Sequence, residues 1–277
     1  MNMKLGFNEA TCMKNSSVEL DLKICEKYGY DYIELRLDML RDYLARNKIT
    51  DLQSFFHSSH LKPWALNSIE DINFRSTSEW IDLLSLFKFA CEIGQAIESP
   101  YLIVVPTMSK VGQQRFWQEI FANSVEVLTK LADIAHPYGI KLALEPIGDK
   151  RWCVRSLDQA LEIIEAVNRD NVGIALDAFN LYLYQHLDDI ESINKVPLDK
   201  LYTYHIDDSE DLPLGILDHC NRLYPGDGVI PLRKISDMLH SKGYEGACSI
   251  ELFRPEYWEQ DPEKIISTSA EKVKQFL

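Results

Sequence analysis

The segment YGIKLALEP at residues 138–146 shows on a small scale the pattern that repeats along the whole chain. Gly139 can end a helix in the left-handed conformation, the next residues form a short apolar run, and Glu145 is a polar residue at the end of that run. Seven similar runs occur elsewhere, separated by stretches with apolar residues at helical spacing. The eight predicted strands are Lys4–Asn8, Asp31–Leu37, Lys62–Asn67, Tyr101–Pro106, Ile140–Pro146, Val172–Phe179, Leu201–Asp207 and Gly246–Phe253.

The stretches between these runs have the periodicity of amphipathic helices. Apolar residues recur three or four positions apart at 18–25, 157–167 and 235–239. The stretch after the second run is interrupted near Lys48–Thr50, which predicts two short helices in place of one. The longest connection without a helical pattern is Asp207–Pro231, and loops of that length in compact domains are usually functional.

Strands that alternate with helices, without a linker or a shift in composition, predict an α/β protein with a closed (β/α)8 TIM barrel. We expect a single domain over residues 1–277. An open doubly wound sheet is the alternative. It would typically carry a glycine-rich phosphate turn after the first strand, and the sequence LGFNEATCMKNSS at 5–17 contains none.

Composition limits the classes of partner. The chain has 277 residues, 43 acidic and 29 basic side chains and a formal charge of -14, so we expect no nucleic-acid partner. No segment has the length and apolarity of a membrane-spanning helix or a signal peptide, so we expect no membrane partner. The six cysteines form no CxxC pair and are expected to be reduced thiols of a cytoplasmic protein. Monomer and homodimer both remain open.

Four polar residues end the last four predicted strands: Glu145, Asp177, His205 and Glu251. Chemistry in TIM barrels takes place at the carboxyl ends of the strands. Alternation of side chains places each of the four on the face that carries small residues, namely Ala143, Ala175, Thr203 and Ser249. Larger side chains, among them Tyr202 and Tyr204, are expected on the opposite face. The four polar side chains should therefore meet at the mouth of the barrel.

Three carboxylates held this close together repel one another unless a cation lies between them. Three carboxylates and one imidazole form a mostly hard, oxygen-rich ligand set. We therefore predict one divalent metal ion bound by Glu145, Asp177, His205 and Glu251. Mn²⁺, Co²⁺ or Mg²⁺ suits this set, and Zn²⁺ is possible.

Several longer segments resemble the xylose isomerase-like barrel family of sugar isomerases and epimerases, and within it the inosose isomerases of bacterial inositol catabolism. The resemblance covers nearly the whole chain, and its most specific segments lie at the last two strands. The segments include FNEAT at 7–11, CEKYGYDYIELR at 25–36, DIAHPYGIKLALE at 133–145, VNRDNVGIALDAF at 167–179, YHIDDSEDLPLG at 204–215, YPGDG at 224–228 and SIELFRPEY at 249–257.

The resemblance implies metal ligands at the same four residues and an arginine, Arg222, that contacts a substrate oxygen. This chain departs from the family in one respect. The family commonly shows Asp-x-x-His after the sixth strand, with the histidine contacting substrate, whereas here the stretch reads DAFN and ends in Asn180. Asparagine can form hydrogen bonds but cannot carry a charge.

Other residues near the predicted strand ends are candidate substrate contacts. They are Glu34, Arg36, Trp64, Asn67 and Arg254. Trp64 could equally pack inside the barrel. The loops after the last two strands, DDSEDLPLG and FRPEYWEQD, are acidic overall, which favours a substrate without phosphate. The expected substrate is a small sugar or cyclitol ketone.

The expected activity is isomerisation or epimerisation of that polyhydroxy ketone. The metal assists removal of the proton next to the carbonyl, an enediolate forms, and Glu145 and Glu251 serve as the general base and acid. The sequence does not decide between isomerisation and epimerisation. Two alternatives remain: a DNA-repair nuclease of the endonuclease IV type, which shares the barrel, and a non-catalytic barrel that binds a sugar.

Overall fold

The apolar runs form parallel strands. Parallel strands are buried on both faces of the sheet, so their sequences are hydrophobic on both faces. The computed structural model describes residues 3–109, 115–187 and 190–277. Its barrel strands are β1 (Lys4–Asn8), β2 (Tyr32–Arg36), β3 (Lys62–Ile69), β4 (Tyr101–Val104), β5 (Lys141–Leu144), β6 (Val172–Asp177), β7 (Leu201–Ile206) and β10 (Ala247–Ile250). Two short strands outside the barrel are β8 (Asp208–Ser209) and β9 (Arg222–Leu223).

The eight barrel strands close into one ring. They pair in the order β1–β2–β3–β4–β5–β6–β7–β10, and β10 pairs with β1. Every pairing in the ring is parallel. This arrangement confirms the predicted (β/α)8 barrel. Seven of the eight predicted runs contain one barrel strand each, and β3 extends two residues beyond the predicted run Lys62–Asn67.

Helices cover the outer face of the ring. They are α1 (Val18–Tyr28), α2 (Leu37–Leu44), α3 (Ile49–Ser58), α4 (Thr77–Ile97), α5 (Trp117–Ala135), α6 (Leu157–Val167), α7 (Ala178–Leu183), α8 (Leu232–Lys242), α9 (Pro255–Trp258) and α10 (Pro262–Val273). The predicted break after the second strand is confirmed, because α2 ends at Leu44 and α3 begins at Ile49. No helix in the described ranges is both long and apolar enough to cross a lipid bilayer.

The inside of the barrel holds three alanines, one isoleucine and one tyrosine that form a cluster separate from the main core. Ala143 and Ala175 lie there as predicted, next to Tyr202. The prediction that Tyr202 faces outward was wrong, because the pairing of β6 with β7 shifts register between Ile174 and Ala175. Gly173 makes room for the tyrosine, since a Cβ at this position would lie 2.6 Å from the ring of Tyr202.

Four aromatic rings close the amino-terminal end of the barrel, which we call the base. Tyr32 contacts Trp64 with ring centroids 4.2 Å apart, and Trp64 contacts Tyr101 at 5.0 Å. Tyr101 in turn stacks on Tyr202 at 4.9 Å. All four residues stand near the beginnings of their strands, so their cluster lies opposite the strand ends where the chemistry was predicted.

The long connection after β7 folds back over the opposite end of the barrel, which we call the mouth. β8 and β9 pair as an antiparallel ribbon in which Ser209 lies opposite Arg222. The buried carboxylate of Asp208 accepts backbone hydrogen bonds from Gly226, Gly228 and Ile230 at 2.8–3.0 Å. This carboxylate fixes the loop that brings Arg222 into the barrel.

Candidate metal centre and active site

Four side chains meet at the mouth, each supplied by the end of a different strand. One ligand atom from each of Glu145, Asp177, His205 and Glu251 lies within 4.8 Å of the other three, and all four residues are buried. His205 Nδ1 lies 3.6 Å from a Glu145 oxygen, 3.9 Å from an Asp177 oxygen and 3.5 Å from a Glu251 oxygen. Atoms that bind one ion at about 2.1 Å are about 3–4 Å apart, so these distances suit a shared cation.

The imidazole of His205 is oriented for such a role. Its Nε2 forms a 3.0 Å hydrogen bond with Glu34, and the hydroxyl of Thr203 donates to the other oxygen of Glu34 at 2.9 Å. Its Nδ1 is buried and has no hydrogen-bond partner in the described part of the chain. A carboxylate behind a metal-binding histidine fixes its tautomer and leaves the other nitrogen free to coordinate.

The charge of this region also calls for a cation. Five buried carboxylates, those of Glu34, Glu145, Asp177, Asp207 and Glu251, surround one buried arginine, Arg222. The Arg222 guanidinium contacts oxygens of Asp177, Asp207 and Glu251 at 2.7–3.0 Å and lies between the rings of Phe179 and Phe253. Arg222 and a protonated His205 together carry at most two positive charges against five carboxyl groups, so a further cation fits here.

The pKa values of the two glutamates move in opposite directions. Burial raises the pKa of Glu145 to about 7, and the nearby charges of Glu251 and Asp177 add to the shift. Burial would also raise the pKa of Glu251, but the positive charges of His205 and Arg222 outweigh it and hold that pKa below its usual range. Two carboxyl groups with different proton affinities thus face one site, as in enzymes that use a general acid and a general base.

His205 has an elevated pKa for a related reason. Burial opposes its charged form, but the carboxylates of Glu34 and Glu251 outweigh burial and raise the pKa of the imidazole well above its usual value. The site therefore holds extra positive charge even before any metal binds. A cation at Nδ1 would take the place of that proton.

A cavity of about 250 Å³ opens next to the four ligands. Glu145 and Glu251 line it together with Asn67, Arg222 and His219. Its remaining walls include Val105, Pro106, Met108, Ile147, Trp152 and Phe253. Apolar walls with a few convergent polar groups are typical of small-molecule sites.

Comparison with known proteins agrees with this geometry. Residues 22–276 match the family model described as xylose isomerase-like TIM barrel. The chain is 42% identical to the inosose isomerase of Bacillus subtilis over 96% of its own length and 95% of that protein. It is 41% identical to the inosose isomerase of Halalkalibacterium halodurans over 96% of its own length and 94% of that protein.

The chain belongs to the xylose isomerase-like TIM barrel family.

Among solved structures, a crystal structure of the IolI protein with a bound zinc atom is similar to this xylose isomerase-like barrel. The TM-score is 0.94 and the identity 41%, with 99% of this chain and 98% of that chain covered. That zinc atom belongs to the neighbour. In the present barrel, the side chains of the buried cluster fit a metal ion, because His205 Nδ1 has no hydrogen-bond partner among the residues that the structure describes.

The structure brings four of the predicted substrate contacts into the centre of this family member. Asn67 donates from Nδ2 to Glu251 at 2.9 Å, and Asn180 donates from Nδ2 to Glu145 at 3.1 Å. Arg222 contacts Glu251 as described above. Glu34 is also buried at the centre. It forms a hydrogen bond with His205 and does not line the cavity, so it supports the imidazole instead of contacting a substrate.

Three other predicted contacts lie elsewhere. The prediction of Trp64 as a substrate contact was wrong, and its alternative role in barrel packing is confirmed, since its ring belongs to the aromatic cluster at the base. Arg36 ends β2, but its guanidinium binds Asp38. Arg254 forms an ion pair with Glu210 at 2.7 Å. Neither arginine is among the described residues that line the cavity.

Sequence reasoning missed three residues of the site. Asn8, at the end of β1, donates to Glu251 at 2.9 Å and to Glu34 at 3.2 Å. The rule that strand ends carry function could have found it. Asp207 ends the predicted strand Leu201–Asp207 in phase with His205, so the same rule could have found it as well. His219 lies in the irregular connection after β7, where neither strand phase nor helical spacing indicates which side chains point inward.

Proposed function

We propose that this protein is a divalent-metal-dependent isomerase of a non-phosphorylated polyhydroxy ketone, with inososes as the first candidates. The observation that carries the proposal is the buried cluster of four ligands whose two glutamates line one small cavity. The similar proteins named inosose isomerase support an isomerase of a sugar or cyclitol.

Glu145, Asp177, His205 and Glu251 would hold the metal ion. When bound, the ion supplies a Lewis acid that polarises a ketone and stabilises negative charge next to it. The ligand set is rich in hard oxygen donors, which favours Mn²⁺, Co²⁺ or Mg²⁺. The zinc atom of the IolI structure keeps Zn²⁺ among the candidates.

The two glutamates would move the proton. Glu251 is fixed on both oxygens: Oε1 accepts from Asn8 and Asn67, and Oε2 accepts from Arg222. These bonds keep it ionised, as a base that removes the proton next to the ketone must be. Glu145, which lines the cavity with Glu251, would return the proton to the substrate.

The lining of the cavity favours a substrate without phosphate. Glu70, Asp71, Glu145 and Glu251 contribute negative charge to it, and Arg222 is the one Lys or Arg side chain in the described lining. The guanidinium of Arg222 is already paired with three carboxylates. A phosphate dianion would therefore meet net repulsion, whereas hydroxyl groups can bond to carboxylate and amide groups alike.

A proton-exchange experiment tests this function. The protein is freed of metal, loaded separately with Mn²⁺, Co²⁺, Mg²⁺ or Zn²⁺, and incubated in D₂O with a panel of inososes and ketohexoses. We expect deuterium from solvent at the carbon next to the ketone of at least one compound, detected by NMR, with no exchange after chelation. Exchange that is equally fast with and without metal would contradict the metal role.

The same experiment separates the alternatives. A non-catalytic sugar-binding barrel would bind a ketone without deuterium exchange. A nuclease of the endonuclease IV type would cleave a duplex that contains an abasic site, which we expect this protein not to do. Where the deuterium lies in the product decides between isomerisation and epimerisation.

A further inference from the structure

His219 lines the cavity but belongs neither to the four-residue metal cluster nor to the pair of glutamates proposed to move the proton. It starts the short 3-10 turn His219–Asn221 in the connection after β7 and lines the cavity together with Glu145 and Glu251. Neither the sequence pattern nor the ligand geometry assigns it a function. Its surroundings, however, define both its orientation and its protonation.

The ring of His219 is held in place from several sides. Its centroid lies 5.7 Å from that of Phe253 in an edge-to-face arrangement, 5.9 Å from that of Trp152 and 6.1 Å from that of Phe179. The backbone N–H of His219 donates to the side chain of Asp218 at 2.8 Å. A ring packed in this way presents its nitrogens in fixed directions.

The contact with Arg222 determines the tautomer. Arg222 Nη2 lies 3.4 Å from His219 Nδ1. Arginine can only donate hydrogen bonds, so Nδ1 must be the acceptor and the hydrogen of the neutral ring must be on Nε2. Burial and the positive charge of Arg222 lower the pKa of His219 to about 4, which agrees with a neutral ring.

That Nε2–H group is buried and has no hydrogen-bond partner among the described residues. A buried donor without an acceptor is unfavourable, and native proteins rarely keep one without a use. An acceptor that arrives with the substrate would satisfy it. A polyhydroxy ketone offers such acceptors as hydroxyl or carbonyl oxygens.

We propose that His219 determines substrate specificity by donating a hydrogen bond from Nε2 to one hydroxyl oxygen of the substrate ketone. This inference rests on the proposed function and adds a recognition contact to it. His219 would bind and orient the substrate, whereas Glu145 and Glu251 move the proton. Its contribution should therefore depend on one particular substrate oxygen.

Two substitutions test the contact in the full-length, metal-loaded protein. His219→Phe keeps an aromatic ring but removes the donor, and His219→Gln keeps an N–H donor. We expect His219→Phe to lower kcat/KM for the reactive inosose about tenfold, the size of one lost hydrogen bond. His219→Gln should recover most of that loss. His57→Phe, at an exposed position in α3, is the matched control and should leave kcat/KM unchanged.

Deoxy analogues of the inosose, each without one hydroxyl group, locate the oxygen. Wild type should lose about tenfold in kcat/KM on one analogue, and His219→Phe should show no further loss on that analogue. The proposal is overturned if His219→Phe stays within about twofold of wild type on the parent compound. It is also overturned if His219→Gln falls as far as His219→Phe while both retain the wild-type melting temperature and metal content.

Failure of the proposed function would look different. In that case the wild-type protein itself would show no deuterium exchange with any ketone of the panel. In that case, the affinities of wild type and His219→Phe for the same inososes can still be measured by calorimetry and compared. Equal affinity would overturn the role of His219, and weaker binding by the variant would support it.

Discussion

The mouth and the base of the barrel are built from the same strands, but the side chains buried at the two ends differ in chemistry. At the mouth, five buried carboxylates share one arginine and one histidine. At the base, Tyr32, Trp64, Tyr101 and Tyr202 form a continuous aromatic cluster. Burying apolar rings stabilises a fold, whereas burying carboxylates costs free energy unless cations and hydrogen bonds compensate. The comparison separates the end that holds the barrel together from the end that does the chemistry.

Glu251 gives the sharpest test of this separation. Glu251→Gln keeps the shape of the side chain but removes the charge, so turnover should fall by about 10²- to 10⁴-fold, the usual contribution of a general base or acid. The barrel should still fold, because the aromatic base and the eight-stranded ring are unchanged. Deuterium exchange into the inosose, circular dichroism and metal content are the three measurements.

The matched control is Glu165→Gln, the same change at an exposed position on α6. It should behave like wild type in all three measurements. Full activity in a folded, metal-containing Glu251→Gln protein would exclude Glu251 from the proton transfer. A protein that no longer folds would contradict the assignment of stability to the base and the strands.

The mouth was largely predictable from sequence because its ligands obey a simple rule. Glu145, Asp177, His205 and Glu251 each end an apolar run in the same phase, and parallel strands bring their carboxyl ends together. What failed was local. Trp64 and Tyr202 stand next to shifts in strand register, at Ile33/Glu34 and Ile174/Ala175, which turn side chains against the expected alternation. Strict alternation cannot anticipate such a shift.

His219 was missed for a different reason. It lies in an irregular connection, where tertiary contacts decide which side chains point inward. Asp207 ends the predicted strand Leu201–Asp207 in phase with His205, so its position was predictable but its partners were not. Asp207 accepts from the backbone N–H of Phe179 at 2.8 Å and pairs with Arg222 at 2.7 Å, and both partners are distant in sequence. Sequence spacing carries no record of such contacts.

A substitution at Trp64 tests the base, where we expect stability to fall and activity to be kept. Trp64→Leu removes contacts with Tyr32 and Tyr101, so the free energy of unfolding should fall by about 1–3 kcal/mol, a typical cost for lost aromatic packing at a partly buried site. The value of kcat/KM should stay within about twofold of wild type, as expected for a change remote from the site. Urea unfolding and inosose turnover on the same preparation check both.

A Trp64→Leu protein of normal stability but low activity would restore this residue to the active site. It would also show that the two ends of the barrel do not have separate roles.

Asp21 sharpens the comparison, because it is a buried acid that forms no ion pair with an arginine and belongs to no metal-binding cluster in the described part of the chain. Asp21 in α1 and Glu9 after β1 are both fully buried. Burial raises the pKa of Asp21 to about 8. Burial and the charge of Asp21 raise the pKa of Glu9 well above its usual value. These two acids are therefore kept protonated, whereas at the mouth the positive charges of His205 and Arg222 hold the pKa of Glu251 below its usual range.

The sign of the pH effect follows from the proton count. Between the unfolded pKa of about 4 and the folded pKa of about 8, the folded protein keeps a proton on Asp21 that the unfolded chain releases. The free energy of unfolding should thus decrease as pH rises, by up to about 1.4 kcal/mol per pH unit.

Asp21→Asn can still accept the hydrogen bond from Ser16 but cannot titrate, so its stability should depend less on pH. Urea unfolding of both proteins at pH 6 and pH 8 isolates this effect, because the mouth carboxylates are common to both and cancel in the difference. Equal pH dependence in the two proteins would mean that Asp21 is already ionised in the folded state.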